Sequence, residues 1–158
     1  MFVNSEFEDL LRHLNDSGAR YLIIGGYAVI QYAEPRFTQD LDVWIATDRE
    51  NATRVYEALV AFGAPLAGMT PRDFEREGFF YQMGSPPVRV DIMMGIPGVA
   101  FDEAWGRRET FQFEDLPVPF VSIEDLISSK IASGRPQDLL DVTRLKASQK
   151  KGRRPSAK

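Results

Sequence analysis

Two glycines and two aspartates are the residues whose types and spacing come closest to chemistry. Gly25 and Gly26 end an apolar run, Tyr21 to Ile24, and a diglycine bend lets backbone amides approach an anion such as a phosphate. Thirteen residues then separate Gly26 from Asp40, and Asp40 and Asp42 flank Leu41 at the start of a second apolar run that ends at Ile45. Side chains alternate along a strand, so the two carboxylates point to one face while Leu41 and Val43 point to the other. Like charges on one face of a half-buried strand repel, at a cost that a cation between them removes. Oxygen ligands of this kind select a hard ion, Mg2+ or Mn2+.

These residues need elements to hold them. Ser5-Glu6-Phe7-Glu8 reads as a capping box, and Phe7, Leu10, Leu11 and Leu14 recur at helical spacing until Ser17-Gly18, which predicts a scaffold helix. His13, the sole histidine, lies one residue off that apolar stripe and has no second histidine to complete a metal pair, so a structural or surface role is expected. Tyr27 to Ala33 should form a short helix stopped by Pro35, its positive dipole end starting at the glycines. Arg36 and Thr38 then precede the aspartate strand, where a cation and a hydroxyl could meet a triphosphate. The plainer alternative is a surface arginine and a turn threonine.

Thr47-Asp48-Arg49-Glu50 is a second capping box, opening a helix closed by Gly63. Ala64 to Gly78 reads as irregular, with room for one short helix. Phe79–Met83 and Val88–Met93 form an expected antiparallel hairpin. On its second strand Asp91 shares a face with Arg89 and Met93, so Arg89 is available as a salt-bridge partner for Asp91. The stretch after Gly98 reads as a loop in which Trp105, next to Arg107 and Arg108, closes the core edge or offers a stacking surface to a nucleotide or RNA. Thr110–Phe113 and Pro119–Val121 read as edge strands. Ser122 caps a further helix on which Lys130 falls on the inward apolar stripe, and an inward lysine requires an anion or must reach solvent. After Ser133-Gly134-Arg135, Pro136 suits the first turn of a last helix, with Asp138 and Asp141 on one face.

The ordered set of hydrophobic-Gly-Gly, spacer, then Asp40-Leu41-Asp42-Val43 resembles the signature of the polymerase-beta-like nucleotidyltransferase superfamily, and the resemblance runs from about Tyr21 to Leu145. It implies an α/β fold, with a mixed central sheet flanked by helices and further helices at the C-terminus. It also implies a third carboxylate on a later strand, for which Asp91 in Val88-Arg89-Val90-Asp91-Ile92-Met93 is the candidate. By the same resemblance Asp40, Asp42 and Asp91 are both catalytic residues and ligands of Mg2+ or Mn2+, with Asp91 able to act as general base. Gly25, Gly26, Arg36, Thr38 and Lys130 would contact a nucleoside triphosphate. The series Lys130, Arg135, Asp138, Asp141 is similar to the C-terminal motif of AbiEii-type toxin nucleotidyltransferases and their stand-alone relatives, which adds Asp138 to the nucleotide-binding set. Pairing of Asp138 and Asp141 with Arg135 and Arg144 is the structural alternative. That branch implies transfer of a nucleotide to RNA, such as tRNA, or to protein, and a cognate antitoxin as partner. A lincosamide- or aminoglycoside-type antibiotic nucleotidyltransferase and a non-catalytic binding protein of the same fold are the alternatives.

At 158 residues the chain has length for one domain with one core, expected over 1–145. The absence of cysteine excludes disulfides and thiolate metal sites. No apolar run long enough to span a bilayer and no secretory leader is evident, which makes the cytoplasm the expected location and excludes a membrane partner. Net charge is -4, yet six of the 19 Lys and Arg and none of the 23 Asp and Glu lie from Lys146 onward. The body is acidic and 146–158 reads as a basic, flexible tail, able to touch nucleic-acid phosphates or simply solvated.

Overall fold

Six strands form one mixed sheet in the computed structural model, which describes residues 4–33, 38–85 and 88–152. In chain order they are β1 (Tyr21–Ile24), β2 (Asp40–Ile45), β3 (Phe80–Met83), β4 (Arg89–Met93), β5 (Glu109–Phe113) and β6 (Leu116–Phe120), arranged β3-β4-β2-β1-β6-β5. β4 runs parallel to β2 and β6 parallel to β1, while the other neighbours are antiparallel. Six helices accompany them: α1 (Ser5–Asp16), α2 (Gly25–Tyr32), α3 (Arg49–Phe62), α4 (Phe101–Gly106), α5 (Ile123–Ser133) and α6 (Pro136–Gly152), with a 3-10 turn at Pro71–Glu75. The mixed sheet flanked by helices, with helices closing the C-terminus, is the architecture expected from the resemblance.

Alternation gives the sheet two unlike faces. Leu41, Val43 and Ile45 of β2 and Val90 and Ile92 of β4 are buried with the apolar stripe of α1 and with Val55 and Leu59 of α3. The opposite face carries Asp40, Asp42 and Trp44 on β2 and Arg89, Asp91 and Met93 on β4. Its lower end is closed by Trp44, which meets Phe101 of α4 edge-on at 5.1 Å, and Phe101 in turn stacks on Trp105. Register on this face is therefore set by burial on the other, since a slip of one residue would bury the aspartates.

Several local expectations need correction. Asn4, not Ser5, caps α1 by accepting from Glu6 N, and Asp48, one residue after Thr47, caps α3 through Asn51 N. The segment read as loop around Phe101 and Trp105 is α4, because residues four apart on one helical turn bring the two rings together, with Phe101 against Trp44. Trp105 thus closes the core edge, and Arg108 lies over its outer side at 3.9 Å. β6 is interior rather than an edge. Pro117 and Pro119 disguised it, as proline cannot donate to a ladder, and β6 meets β1 at a single residue pair, Ile23 with Phe120. α6 continues through Lys146–Gly152, where lysine, alanine and glutamine favour helix. Residues 153–158, and Pro35 with Arg36, lie outside the described residues.

One buried polar side chain ties the ends of β1 and β2 together. Asn51, 1% exposed, accepts from Arg20 N at 2.7 Å and donates to Arg20 O and Ala46 O at 3.0 and 2.8 Å. Asn51→Ala strands one buried donor and two carbonyls. It should lower unfolding stability by about 2–4 kcal/mol, measured by urea denaturation, whereas a loss below about 0.5 kcal/mol would show that water replaces the amide.

Candidate functional site

The site grows from the C-terminal end of β1. There the chain turns at Gly25, whose φ of 69° is the left-handed region that glycine tolerates. A Cβ on Gly25 would collide with the Asp42 carboxylate. The bend therefore lies directly on that side chain, and only glycine permits the approach. Ile24 faces Asp42 across β1 and β2, and α2 starts at Gly25 itself, two residues earlier than its apolar pattern indicates.

On the other side, Asp42 pairs with Asp91 across the parallel strands β2 and β4, and Asp40 pairs with Arg89. The three carboxylates lie on one face. Gln82 of β3, in register with Asp91, donates to Asp91 Oδ1 at 3.0 Å, and Arg89 Nη2 donates to Asp91 Oδ2 at 3.4 Å. Asp40 is further out, 38% exposed, with its Oδ2 3.9 Å from Arg89 Nε. The salt bridge between Arg89 and Asp91 thus forms, and Arg89 also reaches towards Asp40. Burial first, then the negative charges of Asp91 and Asp40, pushes the Asp42 carboxyl up to about 7, against the opposing pull of Arg89.

A cleft of about 270 Å³ opens above the pair, lined by Asp42 and Asp91 from the sheet, by Gly25 at the start of α2, and by Lys130 of α5, Asp138 of α6 and Arg135 in the connection between them. α5 is oriented at its N-terminus by Ser122, which accepts from Asp125 N. Asp125 itself is held in a two-pronged salt bridge by Arg107 at 2.9 and 3.0 Å. Two turns on, Lys130 is 11% exposed, with Nζ 3.0 Å from Asp141 Oδ2 and 3.5 Å from Asp138 Oδ1. Arg135 donates to both oxygens of Asp138 at 2.7 and 3.3 Å, and Arg144 lies 3.9 Å from Asp141. Burial works against the Asp138 carboxylate, but the hydrogen bonds from Arg135 and Ser133 and the charges of Lys130 and Arg135 outweigh it and hold the group below the usual carboxylate range. The inward lysine has its anions, and the pairing of both aspartates with arginines coexists with it.

Of the residues nominated from sequence, Gly25, Asp42, Asp91, Lys130 and Asp138 line one cleft. Gly26 is buried within the first turn of α2, and the Thr38 hydroxyl donates to the Asp40 carbonyl at 3.5 Å. Arg36 lies outside the described residues. Sequence reasoning did not nominate Arg135 or Gln82 for the site. The hairpin expected from sequence, with residues 84–87 as its loop, pairs Met83 with Val88 and Gln82 with Arg89, whereas the observed register lies two residues further along β4 and sets Gln82 opposite Asp91.

Among the described residues, no group of three or more acidic or histidine side chains is close enough to hold a metal ion as it stands. The donor chemistry nevertheless fits a hard divalent ion. Asp42 and Asp91 are adjacent carboxylates, the Asp42 group raised by burial and by its acidic neighbours, and Asp40 is on the same face with Arg89 between it and Asp91.

The chain belongs to the family described as nucleotidyltransferase of unknown function (DUF6036), whose model matches residues 1–150. No curated protein matches the sequence. Among solved structures, ANT(2″)-Ia in complex with adenylyl-2″-tobramycin is similar in fold, with a TM-score of 0.60 and 15% identity over 92% of this chain and 88% of that one. An antigenic nucleotidyltransferase-like protein from Paracoccidioides brasiliensis has a TM-score of 0.53 and 18% identity over 86% and 71% of the two chains. A nucleotidyltransferase described as putative from Thermotoga maritima has a TM-score of 0.51 and 15% identity over 96% and 93%.

The raised Asp42 carboxyl sets a pH dependence. Between about pH 4, where an unfolded aspartate ionises, and about 7, where Asp42 does so in the folded chain, the folded state keeps a proton that the unfolded state has released. Its contribution to stability is thus present below pH 4, falls through this window, and levels off above 7. In chelator-treated protein, Asp42→Asn should flatten the decline in unfolding stability between pH 4 and 7. An unchanged slope would show that Asp42 is ionised throughout.

Proposed function

We propose that this nucleotidyltransferase-family protein moves a nucleoside monophosphate from a nucleoside triphosphate to an acceptor hydroxyl, with Mg2+ or Mn2+ held by Asp42, Asp91 and Asp40. The observation that carries this is the pairing of Asp42 with Asp91 beneath the Gly25 bend, in the same cleft as Lys130 and Arg135. In the reaction the acceptor oxygen attacks the α-phosphorus in line, a new P–O bond forms, the bond to the β-phosphate oxygen breaks, and pyrophosphate leaves. The divalent ions supply charge neutralisation at the attacking and leaving oxygens.

This chain's own residues do the rest. Backbone amides at Gly25 and the N-terminus of α2 bind the β- and γ-phosphates. Lys130 and Arg135 face the leaving group as counter-charges, oriented by Asp138 and Asp141, so that Asp138 acts on the nucleotide through those cations. Asp91, relieved of its bond from Arg89, accepts the acceptor's proton. Thr38, just before β2, is a further contact to the triphosphate, and the sequence resemblance adds Arg36 to that set.

RNA is the proposed acceptor. Supporting it are the Lys130–Asp141 series, which is similar to the toxin branch, and the run of Arg144, Lys146, Lys150 and Lys151 along α6, suited to a phosphate backbone. A toxin role with a protein antitoxin, in the cytoplasm, follows from that branch. The second reading, an aminoglycoside-type acceptor, is favoured by the likeness in fold to ANT(2″)-Ia over most of both chains and by the acidic body, which suits a cationic drug. A non-catalytic role is disfavoured because Asp40, Asp42 and Asp91 all lie on one face.

Protein incubated with each α-labelled triphosphate, Mg2+ and total RNA should label RNA. Asp42→Asn and Asp91→Asn should each reduce labelling at least about a hundredfold, and Asp42→Asn should cure any toxicity on expression. Labelled tobramycin without labelled RNA would establish the second reading, and no transfer to either with intact folding would overturn the proposal.

A further inference from the structure

Among the described residues of β2 and β4, Arg89 is the one charged side chain on the carboxylate face to which the transfer chemistry assigns no task. Its position follows from register, since it lies opposite Asp40 on β2 and two residues before Asp91 on β4, so all three side chains share a face. Nη2 is 3.4 Å from Asp91 Oδ2, and Nε is 3.9 Å from Asp40 Oδ2, too far for a hydrogen bond. That Nε is buried and makes no hydrogen bond. The guanidinium therefore spans two carboxylates while satisfying neither end well.

A divalent ion bound by Asp40, Asp42 and Asp91 needs the oxygens that Arg89 now engages. An arginine stays protonated at any working pH, so its charge cannot be titrated away from the site. Two cations on the same oxygens repel, and one has to move. The guanidinium is also a fork that matches phosphate oxygens in a two-pronged way, and a phosphate would satisfy the stranded Nε, whose present state is costly.

We propose that Arg89 is a displaceable counter-ion, which neutralises Asp40 and Asp91 in the empty site and transfers to the phosphates of the incoming nucleotide as the divalent ion takes the carboxylates. Cation and nucleotide then bind cooperatively, because each removes the cost of the other: the nucleotide draws Arg89 off the acids, and the ion replaces its charge. The inference rests on the nucleotidyl-transfer reading and assigns Arg89 as a positioning residue that sets when the ion may enter.

The test is Mn2+ binding to the full chain at fixed pH, followed by the loss of the free-ion electron paramagnetic resonance signal, with and without a non-hydrolysable nucleoside triphosphate and with correction for Mn2+ held by free analogue. Without nucleotide, R89Q should bind Mn2+ about tenfold tighter than wild type or more. The gain in Mn2+ affinity on adding the analogue should be larger in wild type than in R89Q, where only the direct contribution of the phosphate oxygens is left. R89K, which keeps the charge but cannot span both acids, should fall between the two, and it carries the comparison if circular dichroism shows that R89Q does not fold. Wild type binding Mn2+ as tightly as a folded R89Q or R89K would overturn the role of Arg89 and leave nucleotidyl transfer standing. Absence of Mn2+ binding by wild type and variants alike, with analogue present, would overturn both.

Discussion

The repulsion between Asp42 and Asp91 is the constraint around which this fold is arranged. They are direct neighbours on parallel strands, partly buried, and neither can turn away without slipping a register that the core face fixes through Leu41, Val43, Val90 and Ile92. Their mutual cost has to be met by protonation, by a guanidinium or by a divalent ion. The guanidinium is present, as Arg89 between Asp40 and Asp91, and burial together with the neighbouring carboxylates favours the first by raising the Asp42 carboxyl to about 7. The third is the ion that the proposed chemistry uses.

Across the cleft the charge pattern is reversed. Lys130 on α5 and Arg135 in the connection to α6 are the cations, and two largely buried acids, Asp138 and Asp141, hold them in place. Breaking such a network by removing one acid leaves an uncompensated buried charge, so it orders the helical wall more than it stabilises the chain. The wall is oriented in turn by Arg107 and Asp125, which link the end of α4 to the first turn of α5. α4 rests on Trp44, two residues along β2 from Asp42 on the same face. The anionic and cationic walls thus trace back to one strand. A triphosphate carrying a divalent ion is complementary to that division of charge.

The sheet face and its acids were legible in sequence because alternation and the glycine bend are local signals. The apolar alternation of β2 and β4 assigned Asp40, Asp42 and Asp91 to one side, and helical spacing turned Lys130 inward. Features that depend on distant partners were harder to see. α4 brings Phe101 onto Trp44 and Trp105 onto Phe101, and β6 is interior despite two prolines because it pairs along its length with β5 and meets β1 at one residue pair. The position of Arg89 was visible as a face, but its reach to both Asp40 and Asp91 depends on which strand lies beside β4, and local periodicity carries no information about that.

The central claim is that Asp42 and Asp91 form the seat of a divalent ion bound together with a nucleotide. Its most direct test is carbon-13 resonance of the aspartate carboxyls near pH 6, with Asp42 assigned by substitution, before and after Mg2+ and a non-hydrolysable triphosphate are added together. The Asp42 signal should start at a protonated value and move to an ionised one with saturation, and the Asp91 carboxyl signal should shift as the ion binds. Carboxyl signals at both positions that stay unmoved at saturating Mg2+ and analogue would contradict it.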